Sequence, residues 1–531
     1  MLGLNVIILG GAWEDTIMVN ALRSLLVPKS YRTIVLFVIF SILLFVSDSS
    51  FSRLNAETML LPVENSWIRI QNVGTDPAEI QIEFYEDDGD VVANDQCPER
   101  AKCTALQPGF GWSFFQQTLG DLAPGYQGSA FVTSDQPFVA MLARDSFLDN
   151  GRFQIGGDSL YLGSSGGNLY LPLVQNTADF VSRIAVQNSS DLRAACVQLI
   201  FYEDGMLSPV AVEPLEPTSG CTFGGVRLEP RATMFVDEET MPVRFGFDGS
   251  VVVKTYRTDE GIAAESQVIS AMVDSRSRND AGLASYRGFG ENEMSNTLVL
   301  PLVDRNATER YSQWSTRFRI LSSIPNVPNE VTLLFDGMNE NGEHVEIEHT
   351  VNVLGSLTCD QRLTGEDACL PPDFDLPSTF LGTVRMDSTN PVAVVVQRIS
   401  PNGSIADYRG FSAEEAARQV VLPVVNKNFG PWGDRVGWNS WFRVQTFDDS
   451  VAHVTIIYYS KEFPNGLFHT IGSVRVNGDK TFRQWEVTSL PDGWVGSAVI
   501  IADRPIVVLA NLESDVFEGD PVMLYNAITL D

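Results

Sequence analysis

The chain has 531 residues, 44% hydrophobic, 19% charged and 10% aromatic, a globular composition long enough for several domains, which excludes a largely disordered chain. Lys and Arg number 36 against 67 Asp and Glu, a net charge of -31. A surface of that sign repels a phosphate backbone and argues against nucleic acid as a partner.

The first predicted element is a leader over residues 1–56. From Ile34 to Val46 the only polar residue is Ser41; Arg23, Lys29 and Arg32 precede this apolar core (34–46), and the polar stretch Ser47 to Ser52 follows. That order is the pattern of a secretory signal peptide. The core is shorter than the ~20 apolar residues of a spanning helix, so cleavage is expected near Ser47-Asp48-Ser49, Ser50-Phe51-Ser52 or Leu54-Asn55-Ala56, with an uncleaved signal anchor as the alternative. A second small apolar run, Leu4 to Ala12, lies ahead of Met18. Initiation at Met18 rather than Met1 leaves a conventional signal peptide, and the whole leader is set apart from the fold.

Beyond it one unit recurs. A Leu-Pro phrase appears at Leu61-Pro62, Leu171-Pro172, Leu300-Pro301 and Leu422-Pro423, about 110–130 residues apart, a period that marks a repeat architecture. After each comes an alternating strand: Trp67 to Asn72, Arg183 to Asn188, Arg317 to Ile320 and Trp441 to Gln445. Successive side chains of a strand face opposite ways, so Ile68 and Ile70 share a face with their counterparts. A second strand follows at Ala78 to Tyr85, Cys196 to Tyr202, Val331 to Phe335 and Val454 to Tyr459. Asp88-Gly89, Asp204-Gly205, Asp336-Gly337 and, a little later, Asn465-Gly466 are hairpin turn signals, because both residue types tolerate positive φ. Each unit closes with Gly-Ser or Gly-Thr opening an apolar strand at Gly128, Gly249, Gly382 and Gly496. Pro137, Pro391 and Pro505 introduce one more strand, and the second copy places Ile262 to Ser270 there. Tyr286-Arg287-Gly288-Phe289 and Tyr408-Arg409-Gly410-Phe411 end the second and third copies.

Six to seven short strands per unit, with turn signals between them and almost no helical period, predict an all-β chain of four tandem immunoglobulin-like antiparallel β-sandwich domains after the signal segment. The boundaries are 57–166, 167–293, 294–413 and 414–531. Short linkers predict close-coupled units in a rod.

Six cysteines fall as local pairs, Cys97 with Cys103, Cys196 with Cys221 and Cys359 with Cys369. Proximity favours these three disulfides in an oxidising compartment, over free or metal-binding thiols, because no CxxC spacing occurs and the four histidines stand apart from the cysteines.

The order Leu-Pro-Leu-Val, an x-Gln-Asn strand, Phe-Tyr-x-Asp-Gly and Gly-Ser-Ala-x-Val with a Pro-introduced strand resembles the tandem immunoglobulin-like modules of exported bacterial surface proteins. The resemblance covers residues 57–531. It implies an extracytoplasmic, secreted or cell-surface location and a scaffold or adhesive role.

Candidate chemistry is sparse. Asp87, Asp88 and Asp90 on the first hairpin tip could supply carboxylates to calcium, against the simpler reading that they serve turn geometry; no other cofactor is expected. Trp432, Trp438 and Trp441 make the last copy the most aromatic-rich stretch, and exposed rings on a rigid sheet could stack on sugars or a partner surface. Gly163-Ser164-Ser165-Gly166-Gly167 matches G-x-S-x-G only formally, because it sits in a linker. The expectation is therefore no enzyme: an extracytoplasmic scaffold or adhesive protein with a cell-surface protein or glycan partner, touching a membrane only through an uncleaved leader. The alternative is a carbohydrate-binding protein using the aromatics of the last repeat.

Overall fold

A computed structural model describes residues 2–9, 63–100, 103–148, 151–160, 167–309, 312–372, 374–430, 436–447, 451–474 and 481–530. These residues form strands joined by turns and one-turn 3-10 segments, so the chain is all-β in several sheets. Among them no helix is long and apolar enough to cross a membrane. The expected signal core 34–46 and Leu61-Pro62 lie outside the described residues.

The second repeat shows the plan. Leu169–Asn176 pairs with Phe247–Tyr256, which pairs on its other side with Ala195–Glu203. Phe180–Asn188 pairs with Ile269–Ser277, which carries Leu283–Arg287. Leu171, Leu199, Phe201 and Val251 from the first layer meet Ile184, Val186, Val273 and Tyr286 from the second in one buried cluster. The period-2 alternation read from the sequence thus delivers one apolar face per layer.

In the third repeat a single strand, Phe380–Ile399, serves both layers. Its first part pairs with Ser295–Arg305 and Asn329–Asn339, its last part with Ser312–Ser322 and Ile405–Arg409. Pro391 stands at the crossing. Proline cannot donate to a ladder, so the strand changes partners there at no further loss. Trp494–Ser514 does the same in the fourth repeat around Pro505. The second repeat lacks that proline, and its expected strand at 262–270 begins only at Ile269, after a connecting loop.

The Leu-Pro phrase and the closing tyrosine explain one another. The ladder of Ser295–Arg305 shifts register between Leu300 and Val303, and that of Ala417–Lys427 between Leu422 and Val425. This bulge leaves the backbone of the residue after the proline without strand partners. The Tyr408 hydroxyl takes them: it donates to the Leu302 carbonyl at 2.6 Å and accepts from the Leu302 N–H at 3.3 Å. Tyr286 holds Leu173 in the same way, at 2.7 and 3.1 Å, and Tyr525 donates to Val424 at 2.7 Å.

Two local expectations change. Asp336-Gly337 lies inside the strand Asn329–Asn339, and the turn falls at Asn341-Gly342, where Gly342 has φ +74°. Leu2–Leu9, set aside with the leader, is a strand paired with Gln127–Ser134, in the place Leu169–Asn176 takes against Phe247–Tyr256. Gln127–Ser134 thus pairs with Leu2–Leu9 along one edge and with Ile80–Tyr85 along the other.

The three disulfides are the local pairs Cys97–Cys103, Cys196–Cys221 and Cys359–Cys369, with Cα atoms 5.6, 5.7 and 5.1 Å apart.

The repeats do not form a rod. Phe153–Leu160, Leu283–Arg287, Ile405–Arg409 and Val522–Asn526 hold equivalent places in the four repeats, and each touches the next in a closed circuit that returns from the last to the first. At one end of this circuit the Asp520 carboxylate accepts the N–H of Leu283 at 3.3 Å and of Ile405 at 2.9 Å, while Gly519 pairs with Phe153. All four repeats therefore meet there. Arg409 and Asn526 clasp the third and fourth through two hydrogen bonds of 3.0 and 2.8 Å. Arg144 joins the first and second by pairing with Glu64 at 2.7 Å and with Asp274. Linker length alone suggested a rod, but a head-to-tail contact repeated with a suitable rotation closes on itself.

Candidate functional site

The seams between repeats carry the most informative chemistry. Arg69 and Arg319 occupy the same register position: each lies opposite a hydroxyl residue on the neighbouring strand, Ser113 and Thr358. Both reach out of their own repeat to the carbonyl of the glycine that opens the Gly-Ser strand of the neighbour. Arg319 of the third repeat donates through Nη1 to Gly249 at 2.6 Å, and Arg69 of the first donates through Nη2 to Gly496 of the fourth at 3.2 Å. The last repeat thus meets the first as the second meets the third.

What surrounds the two guanidinium groups differs. Arg319 donates to Asp248 at 2.8 Å and lies 3.8 Å from Asp204, which itself accepts the Thr358 N–H and the Ser356 hydroxyl, each at 3.0 Å. Burial alone would lower the Arg319 pKa, but Asp248 and Asp204 outweigh it and raise it. At the other seam Val495 stands in the place of Asp248 and Lys461 in the place of Asp204. Arg69 is left with neutral partners: the Pro423 carbonyl at 2.8 Å, Gly496 and the Ser113 hydroxyl at 3.2 Å. Burial pushes its pKa down to about 10, and Tyr525 counters part of the shift.

Val495, Lys461 and Arg69 all line an opening there. A groove of about 320 Å³ runs along the seam, lined by Arg69, Phe110, Trp112, Tyr459, Lys461, Glu462 and Trp494 among others. Its size and mix of aromatic walls with a few polar groups suit a small ligand. Lys461 Nζ lies 5.4 Å above the Trp112 ring, and the Trp494 indole N–H donates to the Ser460 hydroxyl at 3.0 Å, fixing that wall. Gly109 has φ +81°, and a Cβ there would stand 2.6 Å from the Tyr459 ring; the glycine lets the two repeats close. Its carbonyl accepts the Ser497 hydroxyl across the seam at 2.5 Å.

The residues singled out from the sequence go elsewhere. Trp441 is 3% exposed, donates to Glu513 at 3.3 Å and packs in the core cluster of the third repeat, so its outward face meets a neighbour rather than solvent. Trp438 is half-buried against Phe153 and Phe517, and Trp432 lies outside the described residues. The expected aromatic platform therefore does not form on the described pair. Asp87, Asp88 and Asp90 sit on an exposed turn in which Asp88 accepts the Asp90 N–H at 2.9 Å and the Asp87 carbonyl accepts Thr233 of the second repeat at 2.9 Å. Their carboxylates do not converge as calcium needs; among the described residues the converging set is Asp336, His344 and Glu346. There Asp336 and His344 already pair at 2.8 Å on one hairpin. Of Gly163 to Gly167 only Gly167 is described. Sequence reasoning missed Phe110, Trp112, Tyr459 and Trp494; the available signal was the pairing of a repeated arginine with acids at one seam and with Val495 and Lys461 at the other.

No protein-family model matches the chain, and no curated protein matches it. Among solved structures the chain is similar to a tetra-tandem repeat in the extending region of a large adhesion protein, at 12% identity over 86% of this chain and 93% of that one, with a TM-score of 0.09. A superposition at that score carries no argument about fold or function.

Proposed function

We propose that this chain is a non-enzymatic, extracytoplasmic scaffold or adhesive protein, its repeats immunoglobulin-like sandwiches closed into a rigid ring, and that the groove between the first and last repeats holds its ligand. The groove carries this reading: four aromatic side chains and three charged ones line one ligand-sized opening at a rigid seam. Flat rings give large contact area at low entropic cost, which favours a cyclic ligand such as a sugar unit of a surface glycan. Three disulfides favour an oxidising compartment, and the apolar core 34–46 favours export. The calcium role of Asp87, Asp88 and Asp90 drops out of the proposal.

The test is retention of the full chain on immobilised neutral and acidic polysaccharides, beside Trp112→Ala. Trp112 is partly exposed but packs against the edge of the first repeat's core, so the thermal midpoints of the two proteins are compared alongside. We expect retention on at least one polysaccharide and a weakening of roughly 10-fold or more in the variant, the scale of losing an aromatic anchor. Absence of retention on every polysaccharide, or equal retention of the variant, would sink the proposal.

A further inference from the structure

Resting on the reading of the seam groove as a ligand site, we infer that its ligand is an acid: a uronic acid unit whose carboxylate faces Arg69 and whose ring lies against Trp112. The chain contains its own control. At the seam between the second and third repeats, the equivalent Arg319 has Asp248 at 2.8 Å and Asp204 at 3.8 Å. At the seam between the fourth and first, both acids are replaced, by Val495 and Lys461, and both replacements line the groove.

A guanidinium out of water without a counter-charge is costly, and pairing it with a carboxylate in bidentate geometry is the favourable remedy. Arg69 is 6% exposed, and each of its hydrogen bonds goes to a carbonyl or a hydroxyl. Among the described residues no carboxylate pairs with it. Lys461 adds a second cation at the mouth, where Asp204 stands in the other seam; Glu462 beside it is exposed and solvent-screened. A bound acid would therefore complete the charge pattern that the protein completes by itself at Arg319. The aromatic walls then distinguish an acid carried on a ring from a small inorganic anion.

Calorimetric titration of the full chain with a trigalacturonate, with the neutral galactose trimer and with benzoate tests this. The expected result is binding of the uronate at least 10-fold tighter than either of the other two. Val495→Asp, which restores the acid of the other seam, should weaken uronate binding 10-fold or more without lowering the thermal midpoint. Should that variant fail to fold, Lys461→Asp on the exposed rim carries the same test. Equal binding of the neutral trimer, unchanged in the variant, would overturn the charge assignment while leaving the groove as a ligand site. Benzoate binding as tightly as the uronate would overturn the sugar. Absence of binding by all three together with retention on a neutral polysaccharide would also overturn the inference, whereas absence of both would remove the site itself.

Discussion

Replacing Arg398 by Leu should lower the stability of the folded chain by about 3–5 kcal/mol, the scale for breaking a buried ion pair. Arg398 and Asp304 are both wholly buried in the third repeat, with Nε at 3.0 Å and Nη2 at 2.5 Å from one carboxylate oxygen. Thr316 donates to the other oxygen at 2.6 Å, Glu309 lies 3.1 Å from Nη2, and the Trp314 ring covers the guanidinium at 4.9 Å. Removing the arginine strands Asp304 in a site that water does not reach. Replacing Arg398 and Asp304 together by Leu should recover part of the loss, because the wholly buried carboxylate leaves with its partner and only the partly exposed Glu309 is left to solvate. Guanidinium denaturation of the single and double variants measures both values. A single-variant loss under 1 kcal/mol would show that this pair does not hold the third repeat together.

Stability should also fall as pH rises from about 4 to about 7, through Asp407. Its side chain sits in the central circuit of strands, buried, and burial pushes its pKa up to about 7; Gln397, Ser275 and Arg317 oppose the shift, and the nearby Asp158 adds to it. The sign follows from proton counting. Between the unfolded value near 4 and the folded value near 7, the folded chain holds a proton that the unfolded chain has lost, so the contribution is complete below about pH 4 and vanishes above about pH 7. About three pH units correspond to roughly 4 kcal/mol. Glu293 works in a different window: burial would raise its pKa, but Arg287 and Arg409 outweigh this and hold it at about 2. Its contribution is present above about pH 4.5 and is lost as pH falls through 2. Asp407→Asn isolates the first effect. Relative to wild type, the variant should gain stability steadily from pH 4 to 7 and no further above; a difference independent of pH would show that Asp407 is not a neutral acid in the folded chain.

The sequence carried the local plan because strands alternate with period 2 and turns demand particular residues. The faces of Ile68, Ile184, Phe318 and Phe442 all bury as the alternation requires, and the three cysteine pairs join. Tyr286 and Tyr408 stood out as repeated residues, but their purpose depends on a bulge that only pairing reveals. Ring closure was not legible. It rests on contacts such as Arg69 to Pro423 and Asp520 to Leu283, 354 and 237 positions apart, and on a rotation between repeats that no periodicity encodes. The groove escaped for a related reason: its walls come from both ends of the chain, and Val495 and Lys461 become informative only when Arg69 and Arg319 are known to be equivalent. Trp441 shows the limit of alternation itself, which fixes a face but not whether solvent or a neighbouring repeat covers it.

Small-angle scattering of the monodisperse full chain tests the closed ring most directly. A compact body of this many folded residues has a radius of gyration of about 23 Å, whereas four such repeats placed end to end would give about 40 Å. The ring predicts the smaller value with a near-symmetric distance distribution. A value near the larger, with a distribution tailing to long distances, would contradict it and, with it, the seam on which the ligand groove depends.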